Sequence, residues 1–318
     1  MVSLSWSGAL SWRMRQQLLD PVSTESVVGV VRRLGTVPGE VARALAEGQI
    51  IKTFAFRGAI HLLTPEDGGA YLALRAANGM WELPSRQSFY CLTPVDWPRL
   101  RQAVREALAD GPMARDQLGA AVTARPRFRH LGFAFADGVG TLLKPLAWQG
   151  DMSFGPPRDG RATFQRLDRN PRWACLPDLD EAGMRGVETY FRAYGPATLD
   201  HVHYWLGNGL GAGRKRIQSW IAGFGDRLAA LDIDVESTYT LRENLEDLAA
   251  TPATTAVRLL PGYDQWVLGP GRAIPCPQSL RRRAAGKSRS RRPSACRALS
   301  LVRALPGFQE PVLCSCVG

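Results

Sequence analysis

A chain of 318 residues has room for two or three domains of roughly 100 residues, each with a modest core of its own. No apolar run approaches the ~18 residues needed to cross a bilayer, and Met1 to Met14 lacks the basic start and long apolar stretch of a secretion signal, so a cytoplasmic protein with no membrane partner is expected. The formal charge of +11 is concentrated at one end: residues 273 to 318 carry nine Lys or Arg against one acid, Glu310, which leaves only +3 for residues 1 to 272. Any hold on an acidic partner must come from local clusters.

In chain order, Val27 to Gly35 reads as a helix ending in Arg32-Arg33-Leu34-Gly35, and Glu40 to Gly48 as another. Ile50 to Phe56 is a strand rich in β-branched and aromatic residues, Arg57-Gly58 a turn, and Ala59 to Leu63 the returning strand. This hairpin mixes cations with aromatics, as a wing that probes a nucleic acid would. Alternation puts Lys52, Phe54 and Phe56 on one face, so part of the aromatic content is core, and His61 is either a contact residue or a buried one.

The next clear pattern is an apolar helical stripe, Leu100, Ala103, Val104, Ala107 and Leu108, with Asp96 as a cap or first-turn acid. Gly111-Pro112 ends it and a short second helix follows; a third helix spans about 140 to 148. Two short strands, 151 to 154 and 162 to 167, are joined by the turn-rich Gly155-Pro156-Pro157-Arg158-Asp159-Gly160. Arg158 and Arg161 flank the tip, where they either meet phosphate or are simply solvated.

The segment Ala109 to Leu118 then recurs 84 positions later as Ala193 to Val202, matching at Ala, Gly, Pro and Asp. Again an amphipathic helix precedes it (Met184, Val187, Phe191, Tyr194, with Asp180 near its start), and Thr198 suits a helix cap. A third helix at 214 to 224 opens with Arg214-Lys215-Arg216 after a Gly-rich loop, and strands at 228 to 233 and 238 to 241 close the unit. The three cations are either a phosphate-facing cluster or a solvated basic face. Gly207 to Ala212 fits a loose dinucleotide fingerprint but follows a helix rather than a strand, so the match is accidental.

Helix, helix, helix, hairpin is the winged-helix order. The expected architecture is mainly α with small β-hairpins: three tandem winged-helix modules at 1–92, 93–171 and 172–250, then a connecting segment at 251–272 and a basic tail at 273–318 without a folded pattern. The first module is incomplete. From the Gly-Pro proline to the third helix there are 28 residues in one copy (112 to 140) and 18 in the other (196 to 214), against five from Gly35 to Glu40. No hydrolase elbow, zinc helix or phosphate loop is present, His201-x-His203 does not put both rings on one helical face, and Cys314-x-Cys316 has no His partner nearby. No metal and no small-molecule cofactor are expected.

Arg57-Gly58-Ala59-Ile60-His61-Leu62, the helix ending in Arg32-Arg33-Leu34-Gly35, and Leu259-Leu260-Pro261-Gly262-Tyr263-Asp264, in that order, resemble the AlkZ-like winged-helix DNA glycosylases over about residues 11 to 271. The resemblance implies winged helices lining a concave surface for double-stranded DNA, and in some members excision of alkylated purines or unhooking of interstrand crosslinks. An N7-alkylated guanine is already a cationic leaving group, so such an enzyme positions a water and stabilises the developing oxocarbenium sugar. The family's Gln-x-Gln or Gln-x-Asp pair follows the Leu-Gly of the first module. Here that stretch is Leu34-Gly35-Thr36-Val37-Pro38-Gly39-Glu40, without Gln, which leaves Glu40 as the one candidate to orient water. The expected contacts to DNA are Lys52, Arg57, His61, Arg158, Arg161, Arg214, Lys215 and Arg216, in a monomer acting in repair without the catalytic pair. A noncatalytic DNA-binding regulator is the alternative, and a truncated, re-tailed product without function the third.

Overall fold

The computed structural model describes residues 18–19, 38–137, 141–233 and 236–250. Over these residues the chain is mostly helical, with antiparallel sheets. β1 (Leu18–Leu19) is followed by α1 (Pro38–Ala46), with Pro38 at its start and Glu40 in its first turn. Proline sacrifices no hydrogen bond there, and an acid suits the positive end of the helix. β2 (Ile51–Phe54) and β3 (Ile60–Leu63) form the first hairpin, reversed by a 3-10 turn at Phe56–Gly58 in which Arg57 (φ 52°) and Gly58 (φ 71°) are left-handed.

Sequence analysis assigns no element to the stretch that follows, and the structure fills it with α2 (Pro65–Ala76) and α3 (Pro84–Tyr90). Thr64 caps α2, its Oγ1 accepting the Asp67 amide at 3.2 Å. Tyr71, Leu72 and Leu74 are at most 1 % exposed. A helix covered on nearly every side carries no amphipathic stripe to betray it.

The middle unit contains the expected helices and hairpin together with two elements that sequence analysis left out, β4 and α6: α4 (Trp97–Ala107), the short β4 (Met113–Ala114), α5 (Arg115–Thr123), α6 (Gly132–Ala136) and α7 (Leu143–Trp148), then β5 (Met152–Arg158) and β6 (Arg161–Arg166). The turn is tighter than expected. β5 runs on through Gly155 to Arg158, and Asp159 (φ 50°) with Gly160 (φ 69°) makes a two-residue reversal that pairs Arg158 with Arg161. Arg101 and Arg105 of α4 converge on Asp151, whose side chain is 1 % exposed, and so tie that helix to the start of β5.

In the last unit α8 (Leu179–Tyr194), α9 (Leu199–Val202), a π-helical stretch His203–Asn208, and α10 (Arg214–Ala222) precede β7 (Leu228–Ile233), β8 (Glu236–Leu241) and α11 (Leu245–Ala250). Asp178 caps α8 by accepting the Asp180 and Glu181 amides at 3.0 and 2.9 Å; Asp180 is a first-turn acid that takes the Trp220 indole N–H at 2.8 Å. Gly183 lets α10 pack against α8, because a Cβ there would lie 2.1 Å from the Trp220 indole. Thr198 caps α9 as predicted, accepting the His201 amide at 3.2 Å.

Nothing in the local pattern anticipates how the hairpins join. β2 pairs with β5 through Lys52 and Phe154, so the first two hairpins form a single six-stranded sheet in the order β1-β3-β2-β5-β6-β4, while β7 and β8 stand apart as a pair. Rings of Phe54, Phe154 and Phe164 line up across the join, each 5.0 Å from the next. Such aromatic cross-strand contacts are a main source of sheet stability. The predicted helix at 27 to 35, positions 34 to 37 of the expected catalytic stretch, the 259 to 264 motif and the basic tail lie outside the described residues.

Candidate nucleic-acid interface

The first hairpin puts its expected contact residues into three different environments. Lys52 lies half-buried on the central strand β2, its Nζ 5.7 Å from the centre of the Phe154 ring. Arg57 is exposed at the reversal, its guanidinium 4.9 Å over the Tyr204 ring. His61 is 0 % exposed, with Nδ1 3.0 Å from the Ala59 carbonyl and Nε2 buried without a hydrogen-bond partner among the described residues. Burial, helped by the nearby Arg57 charge and opposed by the Ala59 contact, pushes its pKa down to about 4, so the ring is neutral at pH 7. The expectation that His61 touches DNA is therefore corrected. β3 is flanked by β1 and β2, and the imidazole side of that strand faces the core, against Phe56 at 5.5 Å.

At the middle hairpin Arg158 is exposed with no ion pair among the described residues, whereas Arg161 is engaged by Asp116 across the root of α5. The two side chains of that pair are 58 % and 61 % exposed, so water screens the interaction and Arg161 can be drawn away at small cost. Glu40 sits in the first turn of α1, as expected for a residue that opens a helix, and its Oε2 is buried without a partner among the described residues.

The most open cluster lies at the start of α10. Ile217 and Trp220 anchor the helix inward, and Arg214, Lys215 and Arg216 are exposed ahead of them. Arg214 reaches Asp200 only at 3.7 Å, and Lys215 and Arg216 have no ion pair among the described residues. The first turn contains no acid. Three cations at the positive end of a helix repel both one another and the helix dipole, an arrangement that an incoming anion relieves.

The matching helix of the middle unit is built differently. In α7 Leu143, Pro145, Leu146, Ala147 and Trp148 are all buried, packed against α2, β2 and β5. It has no free face to offer a groove. Two cations at its edge escaped sequence analysis: Lys144, with Nζ 5.6 Å from the Phe54 ring centre, and Arg75 at the end of α2, 4.1 Å over the Trp148 ring. The signal that marks them is negative. Neither has an Asp or Glu three or four positions away on its own helix, where a solvated cation usually finds a partner.

The fold is mostly helical with antiparallel hairpins, and the basic first turn of α10 is a surface complementary in charge to an acidic polymer. The model of the AlkZ-like DNA glycosylases matches residues 14–288, and the chain belongs to that family. The match runs past residue 271, where the resemblance of the motifs ends, into the start of the basic tail. The chain is 34% identical over 289 residues to an interstrand DNA cross-link repair glycosylase of Streptomyces sahachiroi, covering 84% of this chain and 78% of that protein. The solved structure of the Streptomyces sahachiroi DNA glycosylase AlkZ is similar with a TM-score of 0.74 at 32% identity, again covering 84% and 78% of the two chains. Among the described residues no helix is long and apolar enough to cross a membrane.

Proposed function

We propose that this chain is a double-stranded-DNA-binding protein of the glycosylase type, a monomer of the cytoplasm that acts on alkylated or crosslinked DNA through three winged-helix units. The units correspond to 1–92, 93–171 and 172–250, followed by the connecting segment 251–272 and the tail 273–318. The first two share a sheet. The observation that carries the reading is the exposed basic turn Arg214-Lys215-Arg216, in which only Arg214 meets an acid, at 3.7 Å, set on a helix of amphipathic design and followed by the β7–β8 hairpin, which is the disposition of a helix that enters a groove beside its wing. Arg57, Arg158 and Arg161 supply backbone contacts, which position without reading sequence.

The chemistry is reduced in this reading, since Leu34 to Glu40 supplies no Gln pair to hold the attacking water. The chain holds damaged DNA rather than excising the base. A second reading, excision assisted by Glu40, is favoured by one observation, the buried and unpartnered Oε2 at the start of α1. Duplex carrying N7-methylguanine, incubated with the full chain, distinguishes them: binding without release of the base supports the first, and release that Glu40→Gln abolishes supports the second. Failure to bind any duplex at low salt removes both.

A further inference from the structure

The pair of cations that sequence analysis missed occupies a seam between the first hairpin, α2 and α7. Arg75 is 9 % exposed; one face of its guanidinium rests on Trp148, and among the described residues Nη2 reaches only the Met80 sulfur at 3.2 Å and Nε is buried with no partner. Lys144 is half-buried over Phe54, and a Cβ on Gly58 would lie 3.6 Å from its Nζ, which fixes the ammonium beside the left-handed turn that carries Arg57. Arg75 faces the Gly211–Gly213 loop, where a Cβ on Gly211 would lie 3.6 Å from Nη1 and 2.5 Å from the Asn78 Nδ2. Asn78 Oδ1 is occupied by the Met80 amide at 3.2 Å, which leaves its NH₂ toward the loop.

The charge balance of this seam is one-sided. Among the described residues no carboxylate bonds to Arg75 or Lys144; Asp137 acts on Lys144 only through space, and Arg86 and Arg75 oppose it. Burial, then the charge of Arg75, lowers the Lys144 pKa, and burial lowers that of Arg75. A guanidinium nonetheless remains charged at any physiological pH. Aromatic faces offset part of the lost hydration but cannot neutralise two adjacent cations. Arg75 Nη1, Asn78 Nδ2 and Lys144 Nζ are all donors, a set that suits the anionic oxygens of a phosphate.

We propose that Arg75, Lys144 and Asn78 together hold one backbone phosphate of bound DNA, with Arg57 at the rim. This rests on the DNA-binding reading above. The test uses the full chain, a plain duplex and the variants Lys144→Met and Arg75→Gln, with affinity measured across a sodium chloride series and melting measured without DNA. Each variant is expected to weaken binding about 10-fold at fixed salt and to flatten the log–log salt slope by about 0.9, the share of one phosphate. Lys144→Met is also expected to leave the free protein equally or more heat-stable, because it removes a repulsion. An unchanged slope in both variants, or a lower melting temperature with unchanged binding, overturns the proposal and assigns the cations to an internal anion.

If the wild type binds no duplex, the DNA reading fails separately. The anion site then stands on inorganic phosphate: a rise in melting temperature over chloride of equal ionic strength, present in the wild type and absent in Lys144→Met, supports it. An equal rise in both overturns it.

Discussion

α7 and α10 each follow a Gly-Pro segment and precede a hairpin, yet one is enclosed and the other open. α7 reads Leu-Lys-Pro-Leu-Ala-Trp and is wrapped by α2 on one side and by β2 and β5 on the other. α10 reads Arg-Lys-Arg-Ile-Gln-Ser-Trp-Ile-Ala, buries Ile217 and Trp220, and leaves its basic end in solvent. A similar local order of elements therefore does not give a similar environment. The first hairpin, by joining β5, uses up the middle unit's third helix as core, and what remains for an acidic partner there is the cationic seam at its edge. The last unit keeps an exposed basic helix end.

The contrast makes its largest prediction at Trp148. Trp148→Ala should cost about 3–5 kcal/mol in urea denaturation through the cavity it leaves, and a cost below 1 would mean that α7 is not core after all. On the open side Arg216→Ala should move stability by no more than about 0.5 kcal/mol.

Next in size is a pH effect confined to the enclosed side. The unfolded chain binds a proton at His61 near pH 6.5, while folded His61 resists until about pH 4. Between those values the unfolded state holds the extra proton, so stability falls as the solution is acidified through that window and is fully present above it, by an amount on the order of 3 kcal/mol. His61→Gln should remove that part of the pH dependence. Asp96, held near 2 by the Thr93 hydroxyl and amide with Arg127 assisting, loses its contribution only below about pH 4 and does not overlap the window. An identical profile in the variant would show that the imidazole is solvated.

A smaller effect tests the local cap of the last unit, which the matching Ala114 of the middle unit lacks. Thr198→Ala removes the α9 cap and should cost about 1 kcal/mol in thermal or urea unfolding. The combined Arg214→Ala, Lys215→Ala, Arg216→Ala variant should leave folding unchanged or raise it by less than about 1 kcal/mol, since three cations leave the positive end of a helix. The same variant should reduce the salt slope of duplex binding by about 2 to 3. A slope that stays put would place the DNA elsewhere.

Much of the architecture is legible because its causes are local. Gly111-Pro112 and Gly195-Pro196 mark where helices stop, Thr198 marks where one starts, and apolar spacing marks α4 and α8. These act within a few residues, so the sequence alone determined the helix-helix-helix-hairpin order of the last two units, the Arg57-Gly58 reversal and the basic opening of α10. α2 stayed hidden because burial all round erases periodicity. The tertiary structure alone decided that β2 joins β5, that His61 is core, that Arg161 is paired with Asp116 while Arg158 has no ion pair among the described residues, and that Arg75 stacks on Trp148 across 73 positions of sequence. Those outcomes depend on which surfaces meet after the local elements have formed, and side chains so far apart in the chain carry no mutual pattern from which the meeting can be read.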